Sequence, residues 1–427
     1  MNGTSHSSGV PRIVITGFGA LTNLGTTADA TWNAMREGRS GISQIEGEEF
    51  TAYSDWGVTI AGQIKGWDPT SVMDFRDVKR MDRFCQLAVA AATEAVTHSG
   101  IDFTKENSER CGVVVGSGIG GISTIEGGVH TMRDRSPSRV SPFTVPRLMI
   151  NAGTGNISIK YGLRGPAAAH ATACASSGHA IADAMHIMQR GVADVMIVGG
   201  AEAACTPLCI GAFMVMKALS TRNNEPTKAS RPFDIDRDGF VLSEGAAMFV
   251  LETYEHAKAR GAFIYAELMG TGNSCDASHI TAPDPNGDGA MRSMKAALDE
   301  AKLTTADIGY INSHGTSTPL GDRAELAAVT RLFGHHAVRS QGGKLLMSST
   351  KSMHGHCLGA SGAVELIACI HAVRDGIIAP TINLDNPEPG FDIDLVPHVP
   401  REQRIRYAMN NTFGFGGHNV TLIVGVL

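Results

Sequence analysis

The order of helix-like and strand-like runs is written twice along this chain. Met81 to His98 carries an alanine-rich helical pattern, a short connector follows, and Cys111-Gly-Val-Val-Val-Gly116 reads as a buried strand. Ala290 to Leu303 and Ile308 to Asn312 repeat that order. Cys174 precedes an apolar helix that runs out at Gly191, and Gly359 precedes another that runs out at Gly376. A strand after Gly245 resembles the terminal one after Asn419, and the apolar runs at 12–17 and 263–269 each open a half. Strand–helix units repeated on this scale predict an α/β chain of two similar halves, with helices covering both faces of the sheets. The expected divisions are a loose polar tail at 1–10, a first half at 11–260 and a second at 261–427. In such folds functional groups collect where strand ends and helix starts meet.

Composition narrows the function classes. The chain has 427 residues, is 43% hydrophobic and 18% charged, and carries a net charge of −6. That is a globular mixture with no basic excess, so nucleic acid is not expected as a partner. Residues 1–9 lack the apolar core of a signal peptide, and no apolar run reaches the roughly 18 residues of a membrane span. Eight cysteines without a C-x-x-C pair point to reduced thiols in the cytoplasm. Gly17-Phe-Gly lacks the third glycine of a dinucleotide fingerprint. Gly116 to Gly121 lacks the Lys-Ser/Thr ending of a P-loop, so it reads as a tight turn or pocket wall. Residues 131–146, with Pro137, Pro142 and Pro146, read as an irregular excursion, and 206–240 as less regular.

Four stretches carry chemistry. Thr172-Ala-Cys174-Ala-Ser-Ser-Gly178 sets a cysteine at or just before the first turn of a helix, where free N–H groups and the helix dipole favour a thiolate. His314 follows an apolar strand, and Thr316 and Thr318 beside it offer hydroxyls to a polar substrate arm. Lys351, His354 and His356 precede the second helix. His-x-His without a third ligand is no metal set, and Lys351 is expected to pair with Glu325. In Asn410 to Asn419, glycines let a backbone N–H approach a reaction centre while Phe413 and Phe415 wall or gate an apolar channel. A cysteine with two imidazoles suits acyl transfer. The sulfur stores an acyl group from a thioester, N–H groups of Cys174 and Phe415 meet the oxyanion, and neutral imidazoles hold the enolate of a second partner that loses CO₂.

At these residues the chain resembles the condensing enzymes of the thiolase superfamily, and among them the β-ketoacyl-[acyl-carrier-protein] synthase II group. The resemblance covers the chain after residue 10 and rests on T-A-C-A-S-S at 172–177, H-G-T-S-T at 314–318, T-K-S-M-H-G-H at 350–356 and F-G-F-G-G at 413–417. It implies a five-layer αβαβα thiolase-like fold with an internal pseudo-twofold repeat, working as a cytoplasmic homodimer. It implies decarboxylative Claisen condensation of an acyl chain on Cys174 with malonyl-ACP, giving 3-oxoacyl-ACP in fatty-acid elongation. His314 and His356 would serve decarboxylation, and Lys351 would orient that site with Glu325. Thr316 and Thr318 would touch the phosphopantetheine arm, and Ile119 would restrict the acyl pocket. Phe415 would be the gate and supply part of the oxyanion hole. Arg76, Lys79 and Arg80 would form the patch for the acidic carrier protein. No cofactor is implied beyond that carrier-borne phosphopantetheine. Catalysis would need no metal, although Glu365 is a weak candidate ligand for a structural cation. Ile119 favours synthase II over synthase I. Synthase I, a stand-alone polyketide ketosynthase, a non-catalytic chain-length partner subunit and a thiolase are the alternatives. The motif wording differs from the family's at Ser176, Ser177, Ser313, His354 and His418.

Overall fold

Among the described residues, 9–53 and 55–427 of this computed structural model, ten strands form one mixed sheet. Residues 1–8, most of the expected tail, lie outside the described residues. The strands are β1 (Ile13–Thr22), β2 (Cys111–Gly116), β3 (Ala167–His170), β4 (Val195–Glu202), β5 (Gly245–Thr253), β6 (Ala266–Cys275), β7 (Ile308–Asn312), β8 (Leu346–Ser348), β9 (Tyr407–Gly414) and β10 (His418–Gly425). Their order across the sheet is β3-β2-β4-β5-β1-β6-β10-β9-β7-β8. Adding five to each label of the first set therefore generates the second in mirror order. Directions repeat as well: β2 runs parallel to β3 and β4, and β7 runs parallel to β8 and β9. β5 is antiparallel to β1 and β4, and β10 is antiparallel to β6 and β9. The two sets join where Ile13–Ile15 pairs antiparallel with Ala266–Leu268.

The helices that matter for the site are α1 (Arg83–Ser99), α2 (Ile122–Asp134), α3 (Ala152–Tyr161), α4 (Ser176–Gln189), α5 (Pro207–Val215), α6 (Asp288–Ala301), α7 (Pro319–Phe333) and α8 (Ser361–Asp375). α4 and α8 pack against each other between the two strand sets, within one continuous core. α8 is buried from Ser361 to Val373, and it is apolar on nearly every face because it has protein on every side. α1 and α3 cover the outer face of the first set, and α6 and α7 that of the second. The result is five layers, helix–strand–helix–strand–helix. Each fully buried Leu, Ile or Phe in them contributes about 1.5–3 kcal/mol.

The Gly-x-Gly of β1 has a packing purpose, repeated in the other half. A Cβ on Gly19 would strike the Ala91 carbonyl and Glu94 of α1, and one on Gly272 of β6 would strike the Ser293 carbonyl and Ala297 of α6. Glycine is what allows each helix to lie this close to its strand.

Two local expectations change. The excursion at 131–146 is entered by α2, a full helix from Ile122. Only Ile122 and Thr124 of α2 are buried, so it lacks the core-facing stripe that announces a helix. Residues 207–215 are helical, started by a Thr206 side chain that accepts the Cys209 N–H at 3.4 Å and by Pro207 in the first turn. After α8, Ile377–Ile378 pairs with Arg401–Glu402 in a ribbon outside the main sheet. Pro380, which has no N–H to give a ladder, stops it there. Among the described residues no helix is long and apolar enough to cross a membrane.

Candidate active site

The end of β3 leads into a single tight turn, Ala173–Ala175, that precedes α4 and carries Cys174. Ala173 adopts φ 50°, a left-handed conformation that costs a non-glycine residue about 1–3 kcal/mol. The Ser176 hydroxyl spans the turn, accepting the Thr172 N–H at 2.9 Å and donating to the Ala173 carbonyl at 2.6 Å. The backbone N–H groups of Phe415 and of Cys174 itself favour negative charge on the sulfur. Burial nevertheless pushes the Cys174 thiol up to about 12, against the pull of the Lys351 charge and of those N–H groups. Burial thus works against the charge that the helix start and its free N–H groups favour.

His356 Nε2 lies 3.1 Å from Cys174 Sγ, and its Nδ1 lies 2.9 Å from Ser361 Oγ. Its backbone is held by β-type pairing, with its N–H donating to Val241 O at 2.8 Å and its carbonyl accepting the Ser243 N–H at 3.0 Å. His314 lies edge-on to His356, ring centroids 5.4 Å apart. The Lys351 Nζ is 3.4 Å from His314 Nδ1. An ammonium only donates, so Nδ1 is the acceptor and His314 carries its proton on Nε2. Burial and the Lys351 charge hold both imidazoles well below the ordinary histidine range, and both are neutral.

Lys351 does not pair with Glu325. Its ammonium forms a buried ion pair with Glu365 on α8. Glu325 instead clamps the loop after β7, accepting the N–H of His314 at 2.9 Å, the N–H of Gly315 at 2.8 Å and the Asn411 side-chain amide at 3.1 Å. Glu365 is therefore the direct counter-charge of Lys351. The second Glu365 oxygen, Asn312 Oδ1 and Asn410 Oδ1 are buried without partners. Asn312 and Asn410 are register partners on β7 and β9, and their amides donate to the α8 carbonyls of Glu365 and Gly362. Acceptors gathered without a donor suit a cation. Among the described residues no group of three or more His, Cys, Asp or Glu is placed to hold a metal ion.

Cys174, His314 and His356 line one cavity of about 610 Å³, together with Ile119, Phe213, Phe240, Thr316, Thr318, Leu358, Phe413 and Phe415. The Thr316 and Thr318 hydroxyls lie 3.0 Å apart. Phe415, 36% exposed, leads through Phe213 to Phe240, which meets His356 edge-on at 5.3 Å. Gly414 has no room for a side chain, because a Cβ there would press on the Thr172 carbonyl and the Cys174 N–H. A thiol, two neutral imidazoles and two backbone donors at an apolar cavity can store an acyl group and stabilise oxyanions.

The profile of the beta-ketoacyl synthase N-terminal domain matches residues 11–257, and that of the C-terminal domain matches 265–385. This chain belongs to the beta-ketoacyl synthase family. It is a condensing enzyme of that family, with the thiolase-like fold of its members. It is 49% identical over 412 residues to the 3-oxoacyl-[acyl-carrier-protein] synthase 2 of Vibrio harveyi, covering 96% of this chain and 98% of the relative. A solved beta-ketoacyl synthase from Burkholderia phymatum superposes with a TM-score of 0.89 at 35% identity over 98% of this chain and all of the other. A type II polyketide ketosynthase, solved in complex with its acyl-carrier protein, superposes with a TM-score of 0.89 at 29% identity over the same shares.

In this beta-ketoacyl synthase family member the other expected residues separate. Arg76, Lys79 and Arg80 are exposed and none lines the cavity. Lys79 lies over the Phe75 ring at 4.2 Å and Arg80 over Phe143 at 5.5 Å. His354 is pulled down to about 3 by burial and lies 3.2 Å from Thr350 Oγ1, outside the cavity lining. His418 faces His179 edge-on at 6.4 Å. Sequence reasoning missed Glu202. From the end of β4 it accepts the Ser117 hydroxyl at 2.8 Å and the N–H groups of Gly118, Ile119 and Gly359 at 2.6, 3.1 and 3.0 Å. An acid closing a wholly apolar strand was the available signal. Phe213 and Phe240 lay in the segment read as less regular and left no signal.

Proposed function

We propose that this chain elongates acyl chains by decarboxylative Claisen condensation, joining an acyl group on Cys174 to the two-carbon unit of malonyl-ACP and releasing CO₂ and free ACP. The carrying observation is Cys174 Sγ at 3.1 Å from His356 Nε2, with the neutral His314 beside it, at an apolar cavity. The acyl thioester carbonyl takes the sulfur, and its oxyanion meets the Cys174 and Phe415 N–H groups. The pantetheine sulfur departs, and the thiol proton ends on it. Malonyl thioester then enters and its carboxylate leaves as CO₂. The electron pair passes to an enolate whose oxygen accepts from His314 Nε2–H and from His356. The enolate carbon attacks the stored acyl carbonyl, the bond to Cys174 Sγ breaks, and the departing thiolate takes a proton from solvent to return to the thiol. Lys351 keeps His314 Nδ1 an acceptor, and Glu325 holds the His314 backbone. Thr316 and Thr318 would meet the pantetheine arm, and Ile119 the acyl chain. A cation held by Glu365, Asn312 and Asn410 would supply positive charge beside the Lys351–Glu365 pair.

The carrier-protein reading is supported by the relatives' substrates as named and by the exposed Arg76, Lys79 and Arg80. A homodimer is supported by the exposed Ile125, Val129, Met132, Phe143, Val145 and Met149, and by β3 at the edge of the sheet. We read residues 11–260 and 261–427 as the two halves, and eight free thiols favour the cytoplasm. Intact-mass analysis after adding long-chain acyl-ACP, then malonyl-ACP, tests the reaction. The expected result is an acyl adduct on Cys174, released two carbons longer with one CO₂. Stable protein that takes no adduct overturns it in favour of a partner subunit, and condensation with acetyl-CoA instead points to a thiolase.

A further inference from the structure

The two imidazoles of the site receive support of different chemical kinds. His314 Nδ1 faces an ammonium 3.4 Å away. His356 Nδ1 faces the hydroxyl of Ser361, the first residue of α8, 2.9 Å away. Ser361 is fully buried, and among the described residues its hydroxyl has no other hydrogen-bond partner. A hydroxyl both gives and takes. If His356 Nδ1 carried the proton, the Ser361 O–H would be left as a buried donor without an acceptor, a costly arrangement. If the hydroxyl donates to Nδ1, that donor is satisfied and the imidazole carries its proton on Nε2, aimed at Cys174 Sγ and the cavity.

We infer that Ser361 is a positioning residue that sets the tautomer of His356, as Lys351 sets that of His314, so that both imidazoles present Nε2–H to the same substrate oxygen. The inference rests on the condensation reading given above. Ser361 touches no substrate and acts through the ring. Its place follows from the fold: the turn Leu358–Ala360 brings the start of α8 back beneath the imidazole five residues upstream. A donor pair matters most in decarboxylation, where negative charge develops on the enolate oxygen. It matters less in acyl transfer, where backbone N–H groups meet the oxyanion.

The test compares the intact chain with Ser361→Ala and Ser361→Thr in two half-reactions: acylation of Cys174 by acyl-ACP, read by mass, and CO₂ release from malonyl-ACP. It adds the ¹⁵N shifts of His356, assigned by loss of its signals in His356→Gln. Ser361→Ala should slow CO₂ release about 10–100-fold, the range for losing one oriented donor or its support. Acylation should change less than about threefold, and the His356 shifts should move towards the Nδ1–H form. Ser361→Thr, which keeps the hydroxyl, should restore the wild-type shifts. Equal losses in both half-reactions, or unchanged His356 shifts in Ser361→Ala, would overturn the proposal. Should Ser361→Ala not fold, wild-type shifts of the Nδ1–H form would overturn it by themselves. Absence of both half-reactions in the wild type would count against the condensation reading instead, while the shifts still test Ser361.

Discussion

The turn before α4 and the turn before α8 are the same device with different cargo. Each is one tight turn, Ala173–Ala175 or Leu358–Ala360, leading into a central helix. Each opens on a non-glycine residue at positive φ, 50° at Ala173 and 43° at Leu358. The middle residue differs: Cys174 in the first, Gly359 in the second. Cys174 reaches the cavity. Gly359 has no space for a side chain, because a Cβ there would collide with the Gly118 N–H and Glu202, and its own N–H donates to Glu202. The repeated fold thus supplies two equivalent pedestals. One presents Cys174, and the other is packed down so that His356, just before it, can approach the sulfur. Duplication of a frame does not duplicate its chemistry when neighbouring loops leave room at only one of the two sites.

The comparison breaks most sharply at the cysteine. Cys174→Ala should abolish the acyl adduct and lower turnover by at least ~10³-fold, with stability changed by about 1 kcal/mol or less. Sustained turnover would mean that the first turn is not the nucleophile's pedestal. The second largest effect lies on the other arm. Lys351→Met strands the Glu365 carboxylate in the core and should cost about 3–5 kcal/mol in chemical denaturation. Adding Glu365→Gln should recover much of that, and no recovery would show that the counter-charge lies elsewhere.

A smaller effect sharpens the unequal packing of the turns. Gly359→Ala should cost about 1–3 kcal/mol through overpacking against Gly118 and Glu202. Equal stability of Gly359→Ala and Cys174→Ala would remove the distinction. A further effect is a pH dependence confined to the first half. Arg260, His256 and Thr16 hold buried Glu252 down to about 2 against its desolvation, while Glu252 and Glu106 raise His256 to about 9. A lowered carboxylate stabilises above its unfolded value and loses that contribution as pH falls towards 2. A raised histidine stabilises below its unfolded value of about 6.5 and loses that contribution as pH rises through 9. The urea midpoint should therefore plateau between about pH 4.5 and 6.5 and decline on either side. His256→Asn should flatten the alkaline decline, and an unchanged profile would count against the network.

Legibility varied with burial. β2, buried at every residue from Cys111 to Gly116, has the same bounds in sequence and structure, and α8 differs from its expected span by no more than two residues. α2 was illegible because its apolar side chains point outwards, so no core-facing period marks it. The Lys351 pairing was misread because sequence shows two buried-compatible glutamates and no rule for choosing. Glu325 is taken up by backbone N–H groups that only the folded loop brings to it.

The sequence by itself determined the periodicities, the repeat order and the inventory of thiol, imidazole and ammonium groups at strand ends and helix starts. These are local properties, set by neighbours within a few turns of chain. Only the tertiary structure decided that Cys174 and His356, 182 residues apart, stand 3.1 Å from each other, that Glu365 answers Lys351, and that Ser361 supports His356. It also decided that burial raises the Cys174 thiol. Desolvation depends on what packs around a group from distant parts of the chain, and at Cys174 it outweighs every local feature that favours the charge.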